Sequence, residues 1–261
     1  MNVLFIGDVV GDAGRRVLLN RLPVLRERFK IDLAVVNIEN IAGGFGVTEK
    51  IVRECLTHKI DVLSTGNHVF DKREAVDLVG REPRLLRPHN YPAGTPGSGW
   101  YVGETRAGEP FAVLNVMGTA FMHPVLDCPF TSARAALAAR PEGVKTVLVD
   151  CHAETTSEKM AMGWLLDGQV SAVVGTHTHV PTADERILPG GTAYISDVGM
   201  TGCYDSVIGM NKDKALRRML QKLPERLEAA EGPATLCGVV IDVDAKTGRS
   251  RAIQRVSVRE D

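Results

Sequence analysis

Side chains that can bind metal ions follow five short apolar runs of the sequence. The segments are residues 7–8 (GD), 37–40 (NIEN), 66–68 (GNH), 150–152 (DCH) and 175–179 (GTHTH). A single aspartate or asparagine in such a position is more often a helix cap or a turn residue. Five occurrences favour a shared site, and the alternating positions of His177 and His179 would turn both rings the same way if the segment were extended.

The candidate ligands combine carboxylates, amides and imidazoles, without a thiolate. This donor set suits divalent manganese, iron or zinc. Seven ligands exceed one closed zinc site and a carboxylate can bridge, so we expect two divalent ions about 3.5–4 Å apart. Two carboxylates leave such a pair cationic, which would attract a phosphate ester. The predicted ligands are Asp8, Glu39, Asn40, Asn67, His152, His177 and His179.

The elements that would position these ligands predict an α/β fold, because apolar runs alternate with helical patterns. The carboxyl ends of strands in such sheets line the ligand crevice. Residues 236–258 predict two antiparallel strands around a turn. Predicted strands lie at 3–6, 33–36, 62–63, 111–114, 144–149, 172–174 and 193–195, and predicted helices at 15–29 (with a break or kink at Pro23), 48–59, 72–79, 132–139, 157–166 and 212–223.

Composition describes an ordinary globular chain of 261 residues with 44% hydrophobic and 24% charged residues. We interpret residues 1–261 as a single domain, with the Pro- and Gly-rich stretch 88–110 as a lid or lobe. A net charge of −1, without a long run of one sign, argues against long nucleic acid as a partner. Five scattered cysteines, no basic leader and no apolar run of about 20 residues predict a cytoplasmic protein without a membrane anchor. Assembly into a homo-oligomer is left open.

The order of these motifs resembles that of calcineurin-like metallophosphoesterases, which implies a four-layer αββα sandwich. Two departures stand out, since Val10 replaces a histidine of the first block and NIEN replaces a Gly-Asp-x-x-Asp/Asn block. The segments GDVVG, NIENIAGGFG, TGNHVFD and YISDVGMTG are similar to the bacterial YmdB-like branch. That branch is associated with hydrolysis of 2′,3′-cyclic nucleotides.

The resemblance also implies how the ligands divide. One ion would be held by Asp8, Glu39, Asn40 and His179, and the other by Glu39, Asn67, His152 and His177. His68 remains free of the metals.

A hydroxide bridging the two ions would attack phosphorus, and His68 would act as general acid for the departing ribose oxygen. A role for His68 in hydrogen-bonding the phosphate is equally compatible with the sequence. Asp71 could orient His68, but its spacing from Glu74 favours a helix capping box. Asp197 follows another predicted strand, where a turn role and a place near the site are both open.

The sequence therefore predicts a metal-dependent phosphodiesterase acting on small cyclic nucleotides. A phosphomonoesterase or protein phosphatase with the same ions is the alternative enzyme. A metal-stabilised regulatory or RNA-binding protein without turnover is the alternative of another class, although such a site would not require a free His68.

Overall fold

The computed structural model of the chain describes residues 1–260, which contain two six-stranded sheets. Most strands coincide with the predicted apolar runs. The strands are β1 (Asn2–Ile6), β2 (Leu33–Asn37), β3 (Val62–Ser64), β4 (Trp100–Glu104), β5 (Pro110–Met117), β6 (Thr146–His152), β7 (Ala172–Thr176), β8 (Arg186–Ile187), β9 (Ala193–Ile195), β10 (Gly202–Cys203), β11 (Ala234–Val243) and β12 (Ser250–Arg259).

The two sheets each have a parallel centre and an antiparallel edge. The first sheet has the order β10-β11-β1-β2-β3, with β12 paired to β11, and the second has the order β4-β5-β6-β7-β9-β8. Strands β1, β2 and β3 are mutually parallel, as are β5, β6, β7 and β9. The predicted C-terminal antiparallel pair is confirmed as β11 and β12.

Helices cover the outer face of each sheet. Helices α1, α2 and α3 share a buried cluster with the first sheet, and α4 and α5 share one with the second. A third cluster lies between the sheets, where it joins Val3 and Phe5 to Val113 and Val174. The predicted four-layer αββα sandwich is thus confirmed. The helices are α1 (Gly11–Phe29), α2 (Glu49–Thr57), α3 (Ala75–Arg81), α4 (Pro129–Ala138), α5 (Thr156–Leu166) and α6 (Lys212–Gln221).

Helix α1 differs from its predicted form. It begins four residues earlier than expected, and Pro23 lies inside it without ending it. An interior proline removes one backbone hydrogen bond. Around this position, the side chains of Leu18, Leu22 and Leu25 are buried in the cluster that α1 shares with the first sheet. This packing stabilises the helix across the proline.

The stretch 88–110 contains an element that the sequence did not predict. Strand β4 pairs antiparallel with β5 and forms one edge of the second sheet. Before it, the buried guanidinium of Arg87 donates to the carbonyl oxygens of Pro88, Thr95 and Pro96. The action of the stretch 88–110 as a lid remains a prediction, and so does the interpretation of the chain as a single domain. Within residues 1–260, no helix is both long and apolar enough to cross a membrane.

Close approach of the chain fixes the end of β7. A Cβ atom added to Gly175 would lie 1.7 Å from the carbonyl oxygen of Ser196. No side chain fits there unless the backbone moves. Glycine is therefore required one residue before the end of the strand from which the GTHTH histidines emerge.

We expect Gly175→Ala to lower the free energy of unfolding by about 3 kcal/mol, since it overpacks a buried strand. Gly80→Ala is the matched control, because its Cβ meets nothing nearer than 4.0 Å and lies in helix α3. Alanine there should stabilise by roughly 0.5–1 kcal/mol. Urea unfolding followed by circular dichroism measures both, and equal midpoints would contradict the steric argument.

Candidate metal centre

Three ligand-type atoms converge on Nε2 of His152. Its Nε2 lies 3.1 Å from Nδ1 of His177, 3.2 Å from Oδ1 of Asn67 and 3.2 Å from Oε1 of Glu39. Glu39, His152 and His177 form one of two groups whose geometry could hold a metal ion. The structure thus brings together the four residues predicted for one ion.

A second group lies beside the first and shares Glu39 with it. Ligand atoms of Asp8, Glu39 and His179 lie within 4.8 Å of one another. Oδ1 of Asp8 and Oδ1 of Asn40 are buried without a hydrogen-bond partner. Since Nδ2 of Asn40 donates to the Gly44 carbonyl at 2.9 Å, its oxygen is the atom left over.

The donor set fits two divalent ions. Unpartnered buried oxygens are costly, and a cation would satisfy both of them. Nδ1 of His179 lies 2.8 Å from the Ile208 carbonyl, which can only accept, so Nδ1 carries the hydrogen and Nε2 keeps the lone pair that could bind a metal. The shared carboxylate of Glu39 is suited to bridging. Whether all seven residues bind metal remains a prediction.

The neighbouring histidines stabilise the ionised carboxylate of Glu39. Burial by itself would raise the pKa of Glu39, but the charge and hydrogen bond of His152, with His68 and His177, lower it to about 2. Burial by itself would lower the pKa of His152, but Glu39, followed by Asp8 and Asp150, raises it to about 9. Burial and the neighbouring charge of His152 lower the pKa of His177 to about 3. The pKa values of the two adjacent rings are therefore shifted in opposite directions.

A buried hydrogen-bond network behind the ligands orients His152. Asp150 accepts from Ser64 Oγ at 2.5 Å, from Asn37 Nδ2 at 3.0 Å and from Thr176 Oγ1 at 2.7 Å. Thr176 Oγ1 also lies 2.9 Å from Nδ1 of His152, which leaves Nε2 facing the other ligands. Burial raises the pKa of Asp150 to about 6. The network joins the two sheets, and sequence reasoning missed it because no local pattern marks these contacts.

The GTHTH loop does not continue the strand as expected. Strand β7 ends at Thr176, and His177 and His179 have φ values of 97° and 65°. These left-handed conformations are unfavourable for residues other than glycine. The expectation of an extended segment is therefore wrong, and His177 and His179 reach the two ligand groups from a turned backbone.

Contacts with two buried carboxylates hold this loop. Asp8 Oδ2 accepts from the His177 backbone at 3.1 Å, and Asp197 Oδ2 accepts from the Thr178 backbone at 3.1 Å and from its hydroxyl at 2.7 Å. Lys159, fully buried on helix α5, pairs with the same oxygen of Asp197 at 2.7 Å. Asp197, whose role the sequence left open, therefore anchors the loop.

His68 lies beside the ligand groups and belongs to neither of them. Its backbone donates to Glu39 Oε2 at 3.1 Å, and its Nδ1 lies 2.7 Å from Oδ2 of Asp71. The favoured capping-box role of Asp71 is wrong, because helix α3 begins only at Ala75. Glu74 instead accepts from the Glu49 backbone at 3.0 Å.

A cavity of about 380 Å³ opens above both ligand groups. His68 and Glu154 line it on the polar side, and Phe45, Ile208 and Leu227 contribute apolar surface. Sequence reasoning missed Glu154, whose carboxylate lies 3.0 Å from Nε2 of His177. A larger apolar groove of about 610 Å³ shares part of this wall, but neither ligand group lines it. The smaller cavity is therefore the candidate active site.

The family is decided by a match over nearly the whole chain. A family model described as YmdB-like protein matches residues 4–256. The chain belongs to the YmdB-like family. The predicted membership is confirmed.

One relative of this YmdB-like chain is a Bacillus subtilis (strain 168) protein named 2′,3′-cyclic-nucleotide 2′-phosphodiesterase. The two sequences are 47% identical, and the alignment covers 100% of this chain and 98% of the relative. A crystal structure of a hypothetical protein from Thermus thermophilus has a TM-score of 0.93 and 42% identity over all of both chains. A structure titled as a novel phosphatase from Mycoplasma pneumoniae has a TM-score of 0.94 and 34% identity, covering 100% of this chain and 94% of that one. The predicted enzyme class, a phosphoric ester hydrolase, agrees with these relatives and is confirmed.

We expect Lys159→Met to lower the free energy of unfolding by about 3–5 kcal/mol, because it leaves the buried Asp197 carboxylate without its charged partner. Lys212→Met is the control, since that lysine pairs with Asp205 at the surface, where a salt bridge contributes little to stability. Urea unfolding gives both values. A similar loss in the two variants would show that Asp197 does not depend on Lys159.

Proposed function

We propose that this YmdB-like enzyme hydrolyses 2′,3′-cyclic nucleotides at a centre of two divalent metal ions. The observation that carries the proposal is the pair of ligand groups sharing Glu39 on the floor of one cavity. The Bacillus subtilis relative, named for this substrate, supports the choice of ester.

The proposed ions divide as the family resemblance implies. One ion would be held by Asp8, Glu39, Asn40 and His179, and the other ion would be held by Glu39, Asn67, His152 and His177. When bound, iron, manganese or zinc ions supply Lewis acidity, which activates water and neutralises charge on the phosphoryl group. Cys151, adjacent in sequence to His152, stays outside the donor set, because its side chain is buried in the apolar cluster that the second sheet forms with α4 and α5.

His68 is the proposed proton donor to the departing ribose oxygen. Its Nδ1 contacts the carboxylate of Asp71, and an ionised carboxylate can only accept a hydrogen bond. Nδ1 therefore carries a hydrogen, and Nε2 is the nitrogen free to exchange a proton with the substrate. The carboxylate stabilises the positive charge that the ring carries before it donates from Nε2, as in a carboxylate–histidine pair. The ring lies edge-on to Phe45 at 5.1 Å between centroids, which limits its rotation.

The cavity matches a small substrate. Its volume of about 380 Å³ is near the lower end of the range for ligand pockets, which favours a mononucleotide over a longer chain. Phe45 and Leu227 offer apolar surface to a nucleobase. Location in the cytoplasm, a small phosphate-ester partner and assembly into a homo-oligomer remain predictions. The five cysteines are all unpaired, which is compatible with a reducing compartment.

A phosphomonoesterase is the second candidate function. The solved Mycoplasma pneumoniae structure titled as a phosphatase favours it. Both reactions would use the same ions, so the substrate decides between them.

We expect the protein, loaded with Mn²⁺ or Fe²⁺, to carry two ions per chain and to hydrolyse 2′,3′-cyclic AMP and bis-p-nitrophenyl phosphate faster than p-nitrophenyl phosphate. Elemental analysis with steady-state kinetics measures this. Glu39→Gln, which weakens the shared ligand, should lower both the metal content and the rate. Fewer than two ions after full loading would rule out the dinuclear centre, and a strong preference for the monoester would favour the second candidate.

We expect His68→Ala to lower kcat for 2′,3′-cyclic AMP by roughly 10²- to 10⁴-fold, the usual contribution of a general acid. Its effect on bis-p-nitrophenyl phosphate should be much smaller, because p-nitrophenolate departs without a proton. His58→Ala, at an exposed histidine outside the cavity, is the control. Equal losses on the two substrates would instead identify His68 as a phosphate contact.

A further inference from the structure

Glu154 connects the wall of the cavity to one of the metal ligands. It follows β6 by two residues, and its half-exposed side chain places Oε2 3.0 Å from Nε2 of His177. The other ring nitrogen of His177, Nδ1, faces Nε2 of His152 at 3.1 Å. One imidazole thus has a carboxylate on one side and a ligand group on the other.

This contact determines which nitrogen of His177 carries the hydrogen. A neutral imidazole has one N–H donor and one acceptor nitrogen, and an ionised carboxylate can only accept. Facing Glu154, Nε2 must therefore be the donor. The lone pair of Nδ1 is then directed towards Glu39 and His152, where a metal ligand is needed.

Each of the other histidine ligands has a partner of a different kind. Nδ1 of His152 is held by the buried hydroxyl of Thr176, and Nδ1 of His179 by the carbonyl of Ile208. Within residues 1–260, His177 is the one of the three whose ring contacts a carboxylate outside the proposed ligand set. Its main chain is already in a left-handed conformation, so the orientation of the ring depends on its contacts rather than on a regular strand.

We propose that Glu154 is a positioning residue that selects Nδ1 of His177 as the metal-binding nitrogen and tightens the ion held by His177. This inference rests on the metal centre of the proposed function. A carboxylate on the far nitrogen fixes the tautomer of a ligating histidine and raises its basicity, and loss of such a partner typically weakens metal binding by about 10- to 100-fold. The effect should fall mainly on one ion, because within residues 1–260 Glu154 forms no hydrogen bond or ion pair with Asp8, Asn40 or His179.

The test compares release of the two ions. Full-length protein is loaded with Mn²⁺ and titrated with a chelator, and the free ion is followed by electron paramagnetic resonance. In Glu154→Ala we expect one ion to bind roughly 10- to 100-fold more weakly and the other to change less than about twofold. Glu154→Gln retains an acceptor oxygen without the charge, so its loss should be smaller than that of the alanine variant. Glu185→Gln, which removes a carboxylate paired with Arg255 away from the cavity, should change neither ion.

The tautomer provides a measurement that does not depend on metal content. Nitrogen-15 spectra of the imidazoles should show His177 protonated at Nε2 in the original protein and as a mixture of tautomers in Glu154→Ala. Unchanged spectra with unchanged affinities would overturn the proposal, as would equal weakening of both ions, which indicates a general structural role. If the original protein binds fewer than two ions, the proposed function fails, and the spectra still decide the role of Glu154.

Discussion

Nε2 of His152 lies within 3.2 Å of a carboxylate oxygen, an amide oxygen and a second imidazole nitrogen, and its side chain has no solvent exposure. Such crowding of acceptor atoms away from water is unfavourable unless positive charge is present. The raised pKa of His152 and the lowered pKa of Glu39 are two consequences of the same requirement. Much of the surrounding structure serves to keep these atoms together.

The support comes from behind the ligands. Asp150 and Thr176 turn the His152 ring, and Asp197 with Lys159 holds the loop that carries His177 and His179. These groups are buried and hydrogen-bonded, so they rigidify the site without facing the substrate. The substrate side, by comparison, has half-exposed groups such as His68 and Glu154.

The sequence predicts the strands well where both faces are buried. All five residues of β2 are buried, and so are those of β7, which is why continuous apolar runs marked them. Strand β4 was missed because it lies at a sheet edge, with no fully buried residue, inside a Pro- and Gly-rich stretch. The ligand types were visible because each lies within three residues of the end of a strand.

The contacts between ligands and supports could not be predicted in the same way. Lys159 and Asp197 are 38 positions apart, and nothing in either segment indicates the other. The spacing of His68 and Asp71 is compatible with a side-chain pair and with a helix cap, and the tertiary structure decided between them. Glu154 stands directly before the start of α5, where Thr155 accepts from the Glu158 backbone, and nothing in this segment indicates its contact with His177.

The two ligand groups each combine residues from both sheets. Strands of the first sheet are followed by Asp8, Glu39, Asn40 and Asn67. In the second sheet, the end of β6 carries His152, and the loop after β7 carries His177 and His179. Each proposed ion would therefore act as a cross-link between the two halves of the sandwich. Because an unfolded chain does not present these ligands together, the free energy of ion binding adds to the free energy of unfolding. Supply of the metal would then govern how long the folded protein persists in the cell, as well as how fast it works.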